Sequence, residues 1–87
     1  MEIEFDPAKD AANRRKHGVP LRFGLAVLAG MVGEEPDLDE AGEERWIAYG
    51  RVGLSLFVCV YTMRGDRHRV ISVRKATRAE EEEWLTR

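Results

Sequence analysis

Lys9, Asn13, Lys16 and His17 fall at i, i+4, i+7 and i+8, the spacing that gathers side chains on one face of an α-helix. That face joins two fixed positive charges, an amide and the side chain whose ordinary titration lies nearest neutrality. The set suits a polyanion. Cations hold phosphates, and an imidazole beside them takes or gives a proton. A second cationic run, Arg67-His68-Arg69-Val70-Ile71-Ser72-Val73-Arg74-Lys75, lies near the C-terminus. Cleaving a phosphodiester within such a polyanion would need a base for the attacking hydroxyl, positive charge at phosphorus and an acid for the leaving oxygen. His17 is the candidate acid or base, and Lys9 and Lys16 are candidate phosphate clamps, with Asn13 beside them. Arg69 and Arg74 are candidate phosphate ligands, or else ion-pair partners of acidic segments. The plainer reading makes His17 a helix-end cation answering the dipole and the lysines ordinary solvated charges.

Other chemistries find little support. The two histidines stand fifty-one positions apart, Cys59 sits inside an apolar run, and no carboxylates cluster at ligand spacing, so no metal or other cofactor is expected. Ser55 and Ser72 have no base and acid arranged around them. The aromatic residues are needed for a core in a chain this small.

These residues must be positioned by short elements. Glu2 to Phe5 alternates like a strand. Asp6 is a good N-cap, Pro7 suits the first helical position, and Gly18 suits the residue after the last turn, so a helix spans Pro7 to about His17. Pro20 is expected to open a second helix, with Leu21, Leu25 and Leu28 on its apolar stripe. Met31-Val32 reads as a possible short strand, and residues 34 to 43 as an exposed acidic loop. Strands follow at 44–49, 54–61 and 67–74, with a turn over Gly50 to Gly53 and another at Gly65-Asp66. Thr77 caps a last helix through Glu80 to Leu85. The expected class is α+β, with helices packed on a mostly antiparallel sheet that ends in a three-strand meander. Arg69 and Arg74, five apart on one strand, should face opposite sides unless a bulge intervenes.

The formal net charge of −2 hides strong patterning. Lys9 to Arg22 carries a balance of +4, and Arg64 to Arg78 a balance of +5. Between them, Glu34 to Glu44 holds seven acids and no base. Local fields of this kind steer a polyanion to one part of a surface. The 87 residues suit a single domain, 1–87, with a modest core. One cysteine excludes an internal disulfide and fits a reducing, cytoplasmic setting. No stretch approaches the roughly 18 apolar residues of a membrane span, and the acidic start is unlike a secretory signal.

Phe5-Asp6-Pro7-Ala8-Lys9, Asn13, Lys16-His17-Gly18-Val19, the central Glu44-Arg45-Trp46 and Arg69-Val70-Ile71-Ser72-Val73-Arg74-Lys75-Ala76-Thr77 stand in the order and spacing of the BrnT family. The chain therefore resembles the toxin half of a bacterial type II toxin–antitoxin pair. The resemblance implies a RelE-like fold and a metal-independent endoribonuclease that cuts cellular RNA and arrests growth. It implies a cognate BrnA-like ribbon-helix-helix antitoxin as partner, with DNA met only indirectly through that antitoxin. Arg45 matches the family's mid-chain arginine and joins Arg69 and Arg74 as candidate catalytic cations beside His17 and Lys16, while Lys9 and Asn13 are the candidate RNA contacts. One departure stands out: Glu80-Glu81-Glu82-Glu83 is acidic where the family is usually more basic, and should repel RNA locally. The alternatives are a non-catalytic protein-binding module of the same fold and, less well supported, a direct DNA binder, for which no recognition-helix pattern is present.

Overall fold

The computed structural model describes residues 1–38 and 43–86. Its elements run β1 (Glu2–Glu4), α1 (Pro7–His17), a 3₁₀ turn (Leu21–Phe23), α2 (Gly24–Ala29), β2 (Met31–Pro36), β3 (Trp46–Val52), β4 (Ser55–Arg64), β5 (Arg67–Lys75) and α3 (Arg78–Leu85). The sheet order is β1-β5-β4-β3-β2. Three neighbouring pairs are antiparallel, but β1 joins β5 in parallel, from Glu2 opposite Arg67 to Glu4 opposite Arg69. The expectation of a mostly antiparallel sheet is thus corrected to a mixed one. The chain leaves β1 through α1 and returns across the fold, so the first and last strands enter side by side in the same direction.

Local chemistry sets the helix ends as expected. The Asp6 carboxylate accepts from the Ala8 N–H at 2.9 Å, and Gly18 takes the left-handed conformation at φ 73°. Asp10 then accepts from the Leu21 N–H at 2.8 Å and anchors the next turn. The second helix is shorter than its apolar stripe suggests. Leu21 forms a 3₁₀ turn, and Leu21, Val27 and Leu28 are buried, whereas Leu25 stays 43% exposed. The tighter 3₁₀ start changes the helical period ahead of α2, so Leu25 does not follow Leu21 into the core.

Two further expectations change. Gly50 lies inside β3, not in a turn, because α2 passes directly over it: a Cβ there would stand 1.9 Å from the Val27 carbonyl oxygen. The acidic segment is partly a strand, since β2 runs to Pro36 and pairs with β3. Residues 39–42 of the expected acidic loop lie outside the described residues.

The sheet buries both faces. Leu21, Val27 and Leu28 pack on Ala48, Cys59, Tyr61, Val70 and Val73. On the other side Trp84 and Leu85 of α3 cover Tyr49, Leu56 and Val58. Trp84 stacks on Tyr49 at 4.3 Å between ring centroids, over the bare backbone of Gly33. Burial of this much apolar surface is the main stabilising term for so short a chain.

Candidate functional site

Most of the candidate residues gather around β5, and two features of that strand explain why. First, β1 pairs only with Arg67 to Arg69, so beyond Arg69 the edge lacks a strand partner. α1 fills the place. Asn13 donates from Nδ2 to the Val73 carbonyl at 2.8 Å and accepts from the Val73 N–H at Oδ1 at 3.2 Å. Its Nδ2 also donates to the Val19 carbonyl at 2.8 Å. Asn13 is buried, and its amide is spent inside the fold. It pins α1 to β5 while lining the recess beside Lys16 and His17.

Second, the β4–β5 register shifts by one residue. Val60 pairs with Ser72 and Tyr61 with Val70, so Ile71 is an extra residue in β5. Arg69 pairs with Thr62 and Arg74 with Val58. Thr62 and Val58 are four apart on β4 and share a face, so Arg69 and Arg74 share a face too. The bulge that the expectation of opposite faces excepted is present, and it absorbs the odd residue.

Two recesses flank Ile71. One, of about 240 Å³, lies between α1 and β5 and is lined by Lys9, Asn13, Lys16, His17, Ile71 and Ser72. The other, of about 120 Å³, takes in Lys9, Arg45, Thr62, Arg64, Arg69 and Ile71, with Asp6 and Glu43 among its walls. Lys9 and Ile71 border both. His17 is half-buried, and its imidazole titrates below the usual 6.5. Burial is the main cause, and the charges of Lys16 and Arg74 add to it.

The arginines are each held by a carboxylate of the same chain. Arg74 makes a bidentate pair with Glu80, both bonds at 2.8 Å. Glu80 also closes the capping box of α3, accepting from the Thr77 N–H while the Thr77 hydroxyl accepts from the Glu80 N–H. Arg74 thus ties β5 to α3 with its fork on Glu80, and its charge reaches His17. The pair pulls the Glu80 carboxyl down to about 2. Arg69 meets Glu4 at 2.5 Å. Arg45 lies 3.6 Å from Glu43, which also lies 3.5 Å from Arg64. Arg64 is the residue that sequence reasoning missed. It stands at the last position of β4 before Gly65, and only its charge marked it in the sequence.

Cys59 is fully buried, and burial pushes its thiol up to about 12. Among the described residues, no group of three or more His, Cys, Asp or Glu side chains is placed to hold a metal ion. No helix among them is long and apolar enough to cross a membrane.

Comparison with known proteins identifies the fold and the family. The crystal structure of the Brucella abortus ribonuclease toxin BrnT superposes with a TM-score of 0.67 at 26% sequence identity, covering 90% of this chain and 99% of that one. No curated protein sequence matches the chain. Residues 5–80 match the family described as the ribonuclease toxin, BrnT, of type II toxin–antitoxin systems. That span includes α1, the bulged strand β5 and the start of α3, and the chain belongs to the BrnT family of ribonuclease toxins.

Proposed function

We propose that this chain is an endoribonuclease toxin of RelE-like fold that cuts cellular RNA and arrests growth until a cognate antitoxin covers its cationic edge. The observation that carries the reading is the half-buried imidazole of His17 in one recess with Lys9, Lys16 and the bulge residue Ile71 of β5. In the proposed reaction His17 takes the proton of the RNA 2′-hydroxyl. The 2′-oxygen bonds to phosphorus and the bond from phosphorus to the 5′-oxygen breaks. Lys9 and Lys16 hold the charge that builds on the phosphoryl oxygens, and an ammonium returns a proton to the leaving 5′-oxygen. The products are a 2′,3′-cyclic phosphate and a 5′-hydroxyl. Arg45 and Arg69 supply positive charge from the adjoining recess, and Arg74 acts through its field on His17.

The antitoxin in this reading is a BrnA-like ribbon-helix-helix protein, the pair acts in the cytoplasm, and DNA is reached only through the partner. A complementary acidic segment on the antitoxin would make association fast and salt-sensitive. The second reading, a non-catalytic protein-binding module, is favoured by the intrachain carboxylates on Arg45, Arg69 and Arg74. Induction of the chain alone in a bacterium separates the two. The nuclease reading expects growth arrest with RNA fragments ending in 2′,3′-cyclic phosphate, both abolished by His17→Ala and by co-expressed antitoxin. Normal growth and intact RNA at verified folded expression would reject it.

A further inference from the structure

The smaller recess is not needed for proton transfer at His17, yet it is built from costly parts. Lys9, Arg45, Arg64 and Arg69 supply four cations to its walls, against the carboxylates of Asp6 and Glu43. Asp6 is already engaged as the cap of α1. Glu43 is divided between Arg45 and Arg64, and Glu4 takes one Nη of Arg69 from the side. Counted with Glu4, four cations and three carboxylates meet at this recess, and each guanidinium carries five donors. Two of these guanidiniums are largely withdrawn from water, with side-chain exposures of 20% for Arg45 and 29% for Arg69. Like charges gathered where water screens them poorly repel, and an anion among them removes that cost.

Size and position narrow the ligand. About 120 Å³ admits a compact anion with a little water, not a nucleobase and its sugar. The recess touches the His17 recess through Lys9 and Ile71, so its occupant lies next along the β5 edge. Guanidinium forks match the oxygens of a phosphate group. We propose that this recess is a phosphate subsite, which holds a non-reacting phosphate group flanking the bond cut beside His17 and so sets the register of cleavage. The proposal rests on the ribonuclease reading for its substrate, but the anion site itself can be tested apart from it. Arg64 is its specific handle, because the reaction at His17 does not use it.

Two measurements decide. Inorganic phosphate is titrated into the full-length protein while the Arg69 and Ile71 amides are followed by NMR. Saturable shifts are expected, weakened about tenfold in Arg64→Gln, the usual effect of losing one charge-assisted bond at a partly exposed site. No saturable shift in the wild type overturns the subsite, whether or not the protein cuts RNA. Arg64→Lys keeps the charge and should recover most of the binding, and serves as the second variant should Arg64→Gln not fold. The other measurement uses short RNA substrates with one neutral methylphosphonate at each position in turn. Arg64→Gln should raise KM about tenfold with kcat within twofold. At one flanking position the neutral linkage should raise the wild-type KM equally and leave that of Arg64→Gln unchanged. Additive effects at every position overturn the proposal. Substrates with a 5′-phosphate or a 5′-hydroxyl distinguish a terminal group from an internal one. Loss of antitoxin binding in Arg64→Gln with RNA kinetics unchanged also overturns it, and assigns the recess to the protein partner.

Discussion

Asn13 serves Val73 as a neighbouring strand would, accepting from its N–H at 3.2 Å and donating to its carbonyl at 2.8 Å. One side chain thereby ends the sheet, fixes α1 against β5 and sets the distance between the cations of the helix and those of the strand.

Asn13→Ala should therefore cost about 2–4 kcal/mol, because it strands the N–H of Val73 and the carbonyls of Val73 and Val19 without partners. Urea unfolding checks the value. Asn13→Asp should be no better, since a carboxylate would face two carbonyl oxygens. A loss below about 0.5 kcal/mol would show that water replaces the amide and that α1 is held elsewhere.

His17 should titrate below 6.5, and its C2 proton in an NMR titration reports this directly. The unfolded chain binds the proton more readily than the folded one, so this group makes stability rise with pH through the window just under 6.5 and fall on acidification. Arg74→Gln removes one of the depressing charges and should move the titration upward. RNA cleavage should show an acid limb at the same pH and shift with it. His17→Ala should lower the rate roughly 10²–10⁴-fold, the usual share of a general base. A limb that stays put in Arg74→Gln would place the base elsewhere.

The Arg74–Glu80 pair should govern acid stability. Glu80 moves from 4.5 down to about 2, chiefly through its bond to Arg74. Its contribution is complete above 4.5 and is lost as pH falls toward 2. Both side chains keep some exposure, 35% and 20%, so the pair is worth about 1–2 kcal/mol. Glu80→Gln should lose that amount at pH 7 and flatten the melting temperature between pH 4.5 and 2. An unchanged acid slope would mean that other carboxylates carry it.

Gly50→Ala should be strongly destabilising, by about 2–4 kcal/mol, because the new methyl meets the Val27 carbonyl of α2 and backbone has to move. Circular dichroism melting reads this. Gly53→Ala is a useful contrast. It meets no neighbour, and its cost comes only from φ 63°.

The local features written in the chain were legible because their causes are local. Asp6, Pro7 and Gly18 delimit α1, and Thr77 with Glu80 caps α3, through bonds that span at most four residues. The family was legible too, since it rests on ordered short motifs over most of the chain. Contacts between distant segments were not. Asn13 matches the polar helical face by spacing, and only its partner sixty residues away shows that it is an edge pin. Gly50 resembles a turn residue until α2 lies across it. The common face of Arg69 and Arg74 depends on the extra residue Ile71, and a bulge has no reliable mark in one strand's sequence because it is a property of the pairing. The sequence by itself determined which side chains carry charge and where helices begin and end. The tertiary structure decided which carboxylates hold which arginines, because those of β1, α3 and the segment before β3 reach them only once the sheet is assembled.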